Sequence, residues 1–433
     1  MTTRRRHDRS VPQQRGVALV LVLTTIAILT SIGVDFSYSS RVSLKLAENL
    51  RDETRAYYLA RSAVNLSRLL LHFQKQLDGL GGQLSSALTQ LSRPPGTPAP
   101  AGAAPATAAA PATSLGIRLW ELLPIDSNAF SALLGGAPMG PASSDKLPPP
   151  PGDRPALHSF GGFDGSFNAR IVDENSRINV TRLDGLQGAS ANTLIQLRAM
   201  MADPKYDFIF NEPDAQGDRV ARDDVIIALK DWIDQDETGS AIDPSNPLSP
   251  FANGFSDENS AYARYEPRYK AKNSRFDSLQ ELFMARGVND RFMAAFGDRL
   301  TIWVDVNAGL NVNTNDPLQM LTNILIASAN PNDPSLRDPR LLQTILQEIQ
   351  LRKMFSFFGM SARDFVAVLS ANGIRLRPQI DPKQGGNPDT FFSSASDTFR
   401  ITATGRVGHV EKTLTAVVRY DDALGKLMYW KED

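Results

Sequence analysis

The sequence contains no cysteine, which rules out a disulfide framework and a thiolate metal site. Histidine is almost as scarce: His7, His72, His158 and His409 are scattered along the chain. No His-Glu-x-x-His zinc helix, Gly-x-Ser-x-Gly elbow or phosphate-binding Walker loop occurs. Neither sign of charge is in excess, with 46 Lys and Arg against 47 Asp and Glu, so nothing points to a nucleic-acid partner. Asp173 and Glu174 lie in "VDENSRINV", a pattern suited to turn and cap hydrogen bonds rather than to an acid/base pair. The sequence therefore offers no catalytic constellation. Without covalent cross-links, stability has to come from ordinary burial or from bound ions, and 433 residues allow more than one core.

What the chain does have is one long apolar run near its start. From Val17 to Val34 there is no charge, and as helix this stretch spans roughly 27 Å, close to the hydrocarbon thickness of a bilayer. Three readings compete: a removable signal peptide, an uncleaved membrane anchor, and a prepilin-type leader. The far flank, Asp35-Phe36-Ser37-Tyr38, carries no small-x-small cleavage site, which weighs against the signal peptide. Arg4, Arg5, Arg6 and Arg15 precede the run and favour a cytoplasmic N-terminus with the bulk of the chain outside. Arg41 to Lys75 contains neither Pro nor Gly, so the helix is expected to continue. Leu50, Tyr57, Val64 and Leu71 recur every seven residues as an apolar stripe. A helix of about 60 residues, greasy all round and then amphipathic, is more than a plain anchor needs. It suits a subunit that stores its tail in a bilayer and later packs that tail into a filament.

Farther along, residues 78–156 are rich in Pro, Ala and Gly ("RPPGTPAPAGAAPATAAAPATS", "KLPPPP") and read as a flexible insertion. The apolar island "LGIRLWELLPI" interrupts it and could dock a partner through Trp120 and Leu122. Next, "SFGGFDGSFNARIVDENSRINV" alternates around Asp164-Gly165, which favours a tight hairpin. From Ala191 to about Leu369 the patterns are mainly helical ("ARDDVIIALKDWID", "LQMLTNILIASA", "RLLQTILQEIQLRKMFSF", "ARDFVAVLSANG"), broken by Pro, Gly and Asn clusters. Strand alternation returns in "DTFRITATGRVGHVEKTLTAVVRYDD". The expected fold class is α+β: a long N-terminal transmembrane and amphipathic helix and a small α/β body with antiparallel strands, interrupted by a large inserted helical domain. The expected divisions are 1–16 leader, 17–77 helix (17–34 spanning), 78–156 insertion, 157–187 first strands, 188–375 helical domain and 376–433 last strands.

An acidic cluster stands out in the helical part: "DWIDQDETG" followed by "SDENSAYARYEPRYKAKN". Asp234, Asp236 and Glu237 fall where a helix should end, and Asp257, Glu258 and Asn259 follow in a loop. Hard oxygen ligands on irregular backbone suit Ca²⁺. An EF-hand loop counted from Asp234 would need Glu at its twelfth position, where Ser245 stands. On the residues alone, a calcium loop and a solvated acidic loop both remain open.

The basic leader ending in Gly16, then "VALVLVLTTIAIL", then "RDETRAYYLARSAVNLSRLLL", resembles the minor pseudopilin K of the type II (general) secretion system. "DGSFNARIVDENSRINVTRL", "LKDWIDQDE", "ENSAYARYEPRYKAKNSRFDSLQEL" and "LNVNTNDPLQML" follow in that family's order. The resemblance implies a pilin-like body with an inserted, sterile-alpha-motif-like helical domain. It implies cleavage by prepilin peptidase between Gly16 and Val17, with N-methylation of Val17. Most pilin-like subunits carry Glu at the fifth mature position, here Leu21; its loss suits a subunit with no neighbour ahead of it, because a buried carboxylate with no partner is costly. The implied partners are minor pseudopilins I and J, then H and the major pseudopilin G, and the inner-membrane assembly platform. The implied place is the inner membrane and periplasm, and finally the pseudopilus tip. The family's calcium loop implies ligands here: Glu258 and Tyr262 match its Glu and final Tyr, and Asn259 replaces its Asp, with Asp257 able to compensate. Tyr265, Pro267, Tyr269 and Asn273 then serve to fix the loop. The other classes considered are a minor pilin of a type IV pilus and a signal-anchored periplasmic binding domain.

Overall fold

The computed structural model describes residues 15–91, 118–127, 129, 165–185, 188–213, 217–246, 249–331, 333–355, 359–421 and 425–433. The leader's arginines before Arg15, His7, His158, Asp164 and most of the Pro/Ala-rich stretch lie outside these residues.

The first element, α1 (Arg15–Leu91), is one unbroken helix. It continues past residue 77, where the sequence expectation ended it. Its two parts differ in what surrounds them. From Gly16 to Leu50 it is exposed throughout, and it is the one described helix long and apolar enough to cross a membrane. From Ala56 onward it buries Ala56, Leu59, Ala60, Ala63, Val64 and Leu71. Of the seven-residue stripe, Val64 and Leu71 are buried and Tyr57 is half-buried, while Leu50 lies beyond the body and is exposed.

The face buried by α1 rests on a five-stranded antiparallel sheet in the order β1-β2-β9-β10-β11. After a single-turn helix α2 (Leu119–Leu122) come β1 (Ile125–Asp126) and β2 (Ser166–Asp173). The chain then leaves the sheet and returns more than two hundred residues later with β9 (Thr398–Val407), β10 (Val410–Arg419) and β11 (Lys426–Glu432). The β9–β10 hairpin turns at Gly408 and His409 with Val407 opposite Val410, and Gly408 takes a positive φ of 58°, where glycine costs least. The Asp164-Gly165 hairpin lies partly outside the described residues. The described part of β2 pairs with β1 and β9.

Small residues let helix and sheet approach closely. A Cβ on Gly405 of β9 would lie 2.0 Å from the Ala56 carbonyl oxygen, so the helix backbone sits directly on the strand. Tyr420 donates its hydroxyl to the Arg68 carbonyl at 2.9 Å, and Tyr57 donates to Glu432 Oε1 at 3.1 Å. The apolar island packs onto this same layer. Leu119 N donates to Gln74 Oε1 at 2.9 Å, Trp120 stacks edge-on to Phe399 with ring centroids 4.9 Å apart, and Arg118 donates to the Asn313 carbonyl at 2.6 Å. Trp120, considered from sequence as an anchor for a partner, instead covers the chain's own sheet.

Between β2 and β9 the chain builds two helical cores. The first is formed around β3 (Ile178–Asn179), α3 (Ala189–Met201), α4 (Asp207–Asn211), α5 (Arg222–Asp231), a two-stranded hairpin of β4 (Thr238–Ile242) and β5 (Phe251–Asp257), α6 (Asp290–Phe296) and β6 (Leu300–Thr301). Leu197, Ile226, Trp232, Tyr262, Phe292 and Phe296 fill it. The second contains β7 (Leu310–Asn311), α7 (Pro317–Ala327), α8 (Pro339–Phe355), α9 (Ala362–Ala371) and β8 (Phe392–Ser393), around Ile324, Ile345, Phe365 and Leu369. Local signals start several of these helices. Asn289 caps α6, Asp316 caps α7 with Pro317 in its first turn, and Ser361 with Asp364 forms a capping box on α9. Leu376, Ile380 and Phe392 belong to the second core, so the sheet resumes at Thr398 rather than at residue 376.

Because the atom that a new methyl would meet at Gly405 is helix backbone, it cannot swing aside. Gly405→Ala should lower stability by about 3 kcal/mol, at the upper end of ordinary overpacking, measured as a shift of the urea midpoint of the full chain in detergent. An unshifted midpoint would show that α1 can lift off the sheet at no cost.

Candidate functional site

The α5 helix ends at Asp231, and Trp232-Ile233-Asp234 follow as a turn. Trp232 and Ile233 are buried in the first helical core, and the two carboxylates, three positions apart, share one side of the turn. Glu258 arrives from the turn that follows β5. One oxygen from each of Asp231, Asp234 and Glu258 lies within 4.8 Å of the others, and all three residues are buried. Oxygens no farther apart than this can all reach one ion with bonds of about 2.4 Å.

The hydrogen bonding around the cluster is incomplete. Asp231 Oδ1 accepts from Ser240 N at 2.9 Å, and Asp234 Oδ2 receives Lys230 Nζ at 2.7 Å, an ammonium that also pairs with Asp184. Asp234 Oδ1, both Glu258 oxygens and Asn273 Oδ1 are buried with no hydrogen-bond partner among the described residues. Asn273 Nδ2 donates to the Asp236 carbonyl at 2.6 Å, and its backbone takes φ 51°. Buried oxygens without donors are costly, and four in one place, all of them hard ligands, fit a hard divalent cation. A cleft of about 230 Å³ lined by Asp231, Ser240, Glu258 and Tyr262 gives a route in from solvent.

Electrostatics point the same way. Burial, helped by the nearby charges of Asp234, Asp231 and Asp236, pushes the Glu258 carboxyl up to about 7 against the opposing pull of the neighbouring Asn273 side chain. Burial also raises Asp234 and Asp231, against the pull of Lys230 and Ser240 respectively. Three carboxylates this close cannot all stay ionised cheaply unless a positive charge joins them.

An aromatic stack braces the cluster from below. Trp232 and Tyr262 lie 5.7 Å apart edge-on, Tyr262 and Tyr269 5.1 Å apart, and Tyr265 stacks on Tyr269 at 5.3 Å. Tyr269 donates its hydroxyl to the Met284 carbonyl at 3.0 Å.

Of the six ligand positions expected from sequence, the structure brings Asp234 and Glu258 together. Asp236 and Glu237 are exposed; Asp236 Oδ1 accepts from Thr238 N at 2.8 Å. Asp257 is exposed and caps the turn through Asn259 N at 2.9 Å, and Asn259 Oδ1 accepts from Ala271 N at 3.1 Å. Two members of the cluster were not among the six. Asp231 was signalled by its three-residue spacing from Asp234 at a helix end. Asn273 fixes the loop, as expected, yet also turns a free oxygen inward, and no sequence signal distinguished that second role. Gly16, Val17 and Leu21 all lie on the exposed part of α1. Asp173 makes the expected turn and cap contacts, accepting from Asn175 N, Ser176, Asn311 and Ser396, whereas Glu174 is buried in ion pairs with Arg400 and Arg177.

No protein-family model and no curated protein matches the chain. Among solved structures it is similar to a chain in the crystal structure of the GspK-GspI-GspJ complex from the type 2 secretion system of enterotoxigenic Escherichia coli. The TM-score is 0.42 at 14% identity, over 62% of this chain and 80% of that one.

The raised Glu258 carboxyl has a consequence for stability. An unfolded Glu loses its proton near 4.5, whereas the folded one holds it to about 7. Between these values the folded state binds more protons, so without metal the group's contribution to stability falls as pH rises through that window. A divalent cation that replaces the proton cancels the loss. Calcium should therefore raise the melting temperature more at pH 8 than at pH 6. Glu258→Gln should flatten the pH dependence in EGTA and abolish the calcium effect. A calcium-induced rise equal at both pH values would dissociate Glu258 from the cation.

Proposed function

We propose that this chain is a K-type minor pseudopilin of a type II secretion system, a structural subunit of the tip complex that initiates or caps the periplasmic pseudopilus. The observation that carries the reading is the double character of α1. Its apolar first part is exposed from Gly16 to Leu50, while its continuation packs against an antiparallel sheet. Such a helix needs a second apolar environment for its first part, a bilayer before assembly and neighbouring helices afterwards.

On this reading prepilin peptidase cuts between Gly16 and Val17 and the new Val17 terminus is methylated. The N-terminus starts on the cytoplasmic face of the inner membrane and the body folds in the periplasm. Leu21, uncharged and exposed on the helix, asks for no amine from a subunit ahead, which fits the foremost place. Tyr58, Leu69 and Phe73 are exposed on the side of α1 away from the sheet and supply an apolar face for the helices of minor pseudopilins I and J. Subunits H and G would follow behind, fed by the assembly platform. The two helical cores inserted between β2 and β9 add bulk that a tip tolerates better than a repeating shaft. Calcium would be held by Asp231, Asp234, Glu258 and Asn273, where it supplies positive charge and a cross-link between chain segments.

The N-terminal mass of the protein from cells with and without active prepilin peptidase tests the class. A methylated Val17 terminus that depends on the peptidase is expected; an uncut terminus in both cells overturns the proposal. Leu21→Glu should impair tip assembly or move the subunit away from the tip, scored by co-purification with I and J. Unchanged assembly with this variant would remove the argument from the missing carboxylate.

A further inference from the structure

The four unpartnered oxygens come from three separate pieces of chain. Asp234 stands three residues past the end of α5, Glu258 follows the last strand of the β4–β5 hairpin, and Asn273 stands on the loop leading out of it; Asp231, the last residue of α5, adds its carboxylate to the cluster. An ion joining them ties the base of the hairpin to the helix.

Beyond the ion site, the two meet by close backbone approach, β4 running beside the end of α5 with Gly239 buried there. The hairpin is a two-stranded sheet of its own, a unit marginal at best without support. Its far end leans on the first helical core through Ile242 and Phe251. The middle has no such support: Ala252, Asn253, Ser256 and Asp257 are exposed, and Phe255 is completely so at 108%. Gly239 and Gly254 face each other so closely that a Cβ on Gly254 would lie 2.5 Å from the Gly239 carbonyl oxygen, and neither has a side chain to pack. At the base, Glu258 N reaches the Glu237 carbonyl at 3.4 Å, a long bond. The cleft of about 230 Å³ separates Asp224, Ile227 and Ala228 of α5 from Gly239, Ser240 and Ser256 of the hairpin. The direct link across it is Ser240 N to Asp231 Oδ1 at 2.9 Å, and that acceptor belongs to the carboxylate cluster.

We propose that the divalent-cation site is a latch on the β4–β5 hairpin: the bound ion holds the hairpin's base against α5, and its loss frees β4, β5 and the turn to Ala261 while the five-stranded sheet stays intact. This rests on the calcium reading given above. With the ion gone, three carboxylates within 4.8 Å repel one another across the gap between helix and hairpin, and Lys230, bound to Asp234 and Asp184, does not reach across to Glu258 with a hydrogen bond. Opening there exposes few apolar side chains, so it costs much less than global unfolding. The exposed Phe255 surface then changes its order with the ion.

Hydrogen–deuterium exchange of the full chain in detergent, in excess calcium chloride and in EGTA at one pH, tests the latch, with the melting temperature recorded alongside. Amides of β4, β5 and the turn to Ala261 should exchange at least about tenfold faster in EGTA, with β9 and β10 unchanged. Glu258→Gln in calcium should match the wild type in EGTA. Asn273→Ala, which keeps all three carboxylates, should give a smaller change in the same direction if the first variant does not fold. A lower melting temperature in EGTA with hairpin exchange unaltered would leave the cation in place and overturn the latch. Acceleration spread equally over β9 and β10 would overturn it too, as global destabilisation. No change in either melting temperature or exchange would remove the cation reading, and the latch with it.

Discussion

Asn175 closes the longest excursion in the chain. Its side chain donates to Asp397 Oδ1 at 3.0 Å and accepts from the backbone of Thr398 at 2.9 Å, joining the point where the polypeptide leaves the sheet to the point where it comes back. Asp173, just before it, receives Ser396 at 2.7 Å and Asn311 at 3.0 Å, so the second helical core is fastened to the same place. Glu174, wholly buried, faces Arg400 at 2.9 Å and Arg177 at 3.5 Å. Asn179 extends the network to the Val304 carbonyl at 2.8 Å, at the edge of the first core. The junction is held by hydrogen bonds at Asp173 and Asn175 and by charge pairing at Glu174, and removing one member leaves its partners buried and desolvated.

That junction explains how so large an insertion can coexist with a small sheet. Strand β2 is paired with β9 along its whole length, and α1 covers one face of both. Closing the loop between them is entropically expensive only once, and slowly more so with length. The inserted cores need only supply their own burial and leave the two ends close together. They do the first through separate apolar clusters and the second through the hydrogen bonds around Asp173 and Asn175. The acidic cluster sits within the first core, braced by the Trp232–Tyr262–Tyr269 stack, which explains how a concentration of buried charge survives there. The aromatic rings hold the ligand-bearing turns while the carboxylates themselves resist being brought together.

Much of the fold was legible because its causes are local. The unbroken run from Arg41 to Lys75, the capping residues Asn289, Asp316 and Ser361, and the alternation from Thr398 to Arg419 each act within a few residues of where they stand. Less legible were features in which distant residues decide the outcome. Trp120 looked like an unattached anchor because Phe399, the ring it meets, is far away in sequence. The end of the insertion was placed too early because Leu376, Ile380 and Phe392 serve a helical core without forming helices.

The cation cluster divides along the same line. The sequence by itself determined that this chain carries a membrane-length helix that continues into an amphipathic one, a two-part antiparallel sheet, a helical insertion, and a concentration of carboxylates around "DWID" and "DEN", because composition and periodicity act over short distances. Which of those carboxylates meet was decided only by tertiary structure. Asp236, Glu237 and Asp257 turn outward while Asp231 turns inward, since the direction of each side chain follows from how α5, the hairpin and the Asn273 loop pack around Trp232 and Tyr262. Charge spacing along a chain cannot encode that, because the ligands are brought together by burial of the apolar residues between them.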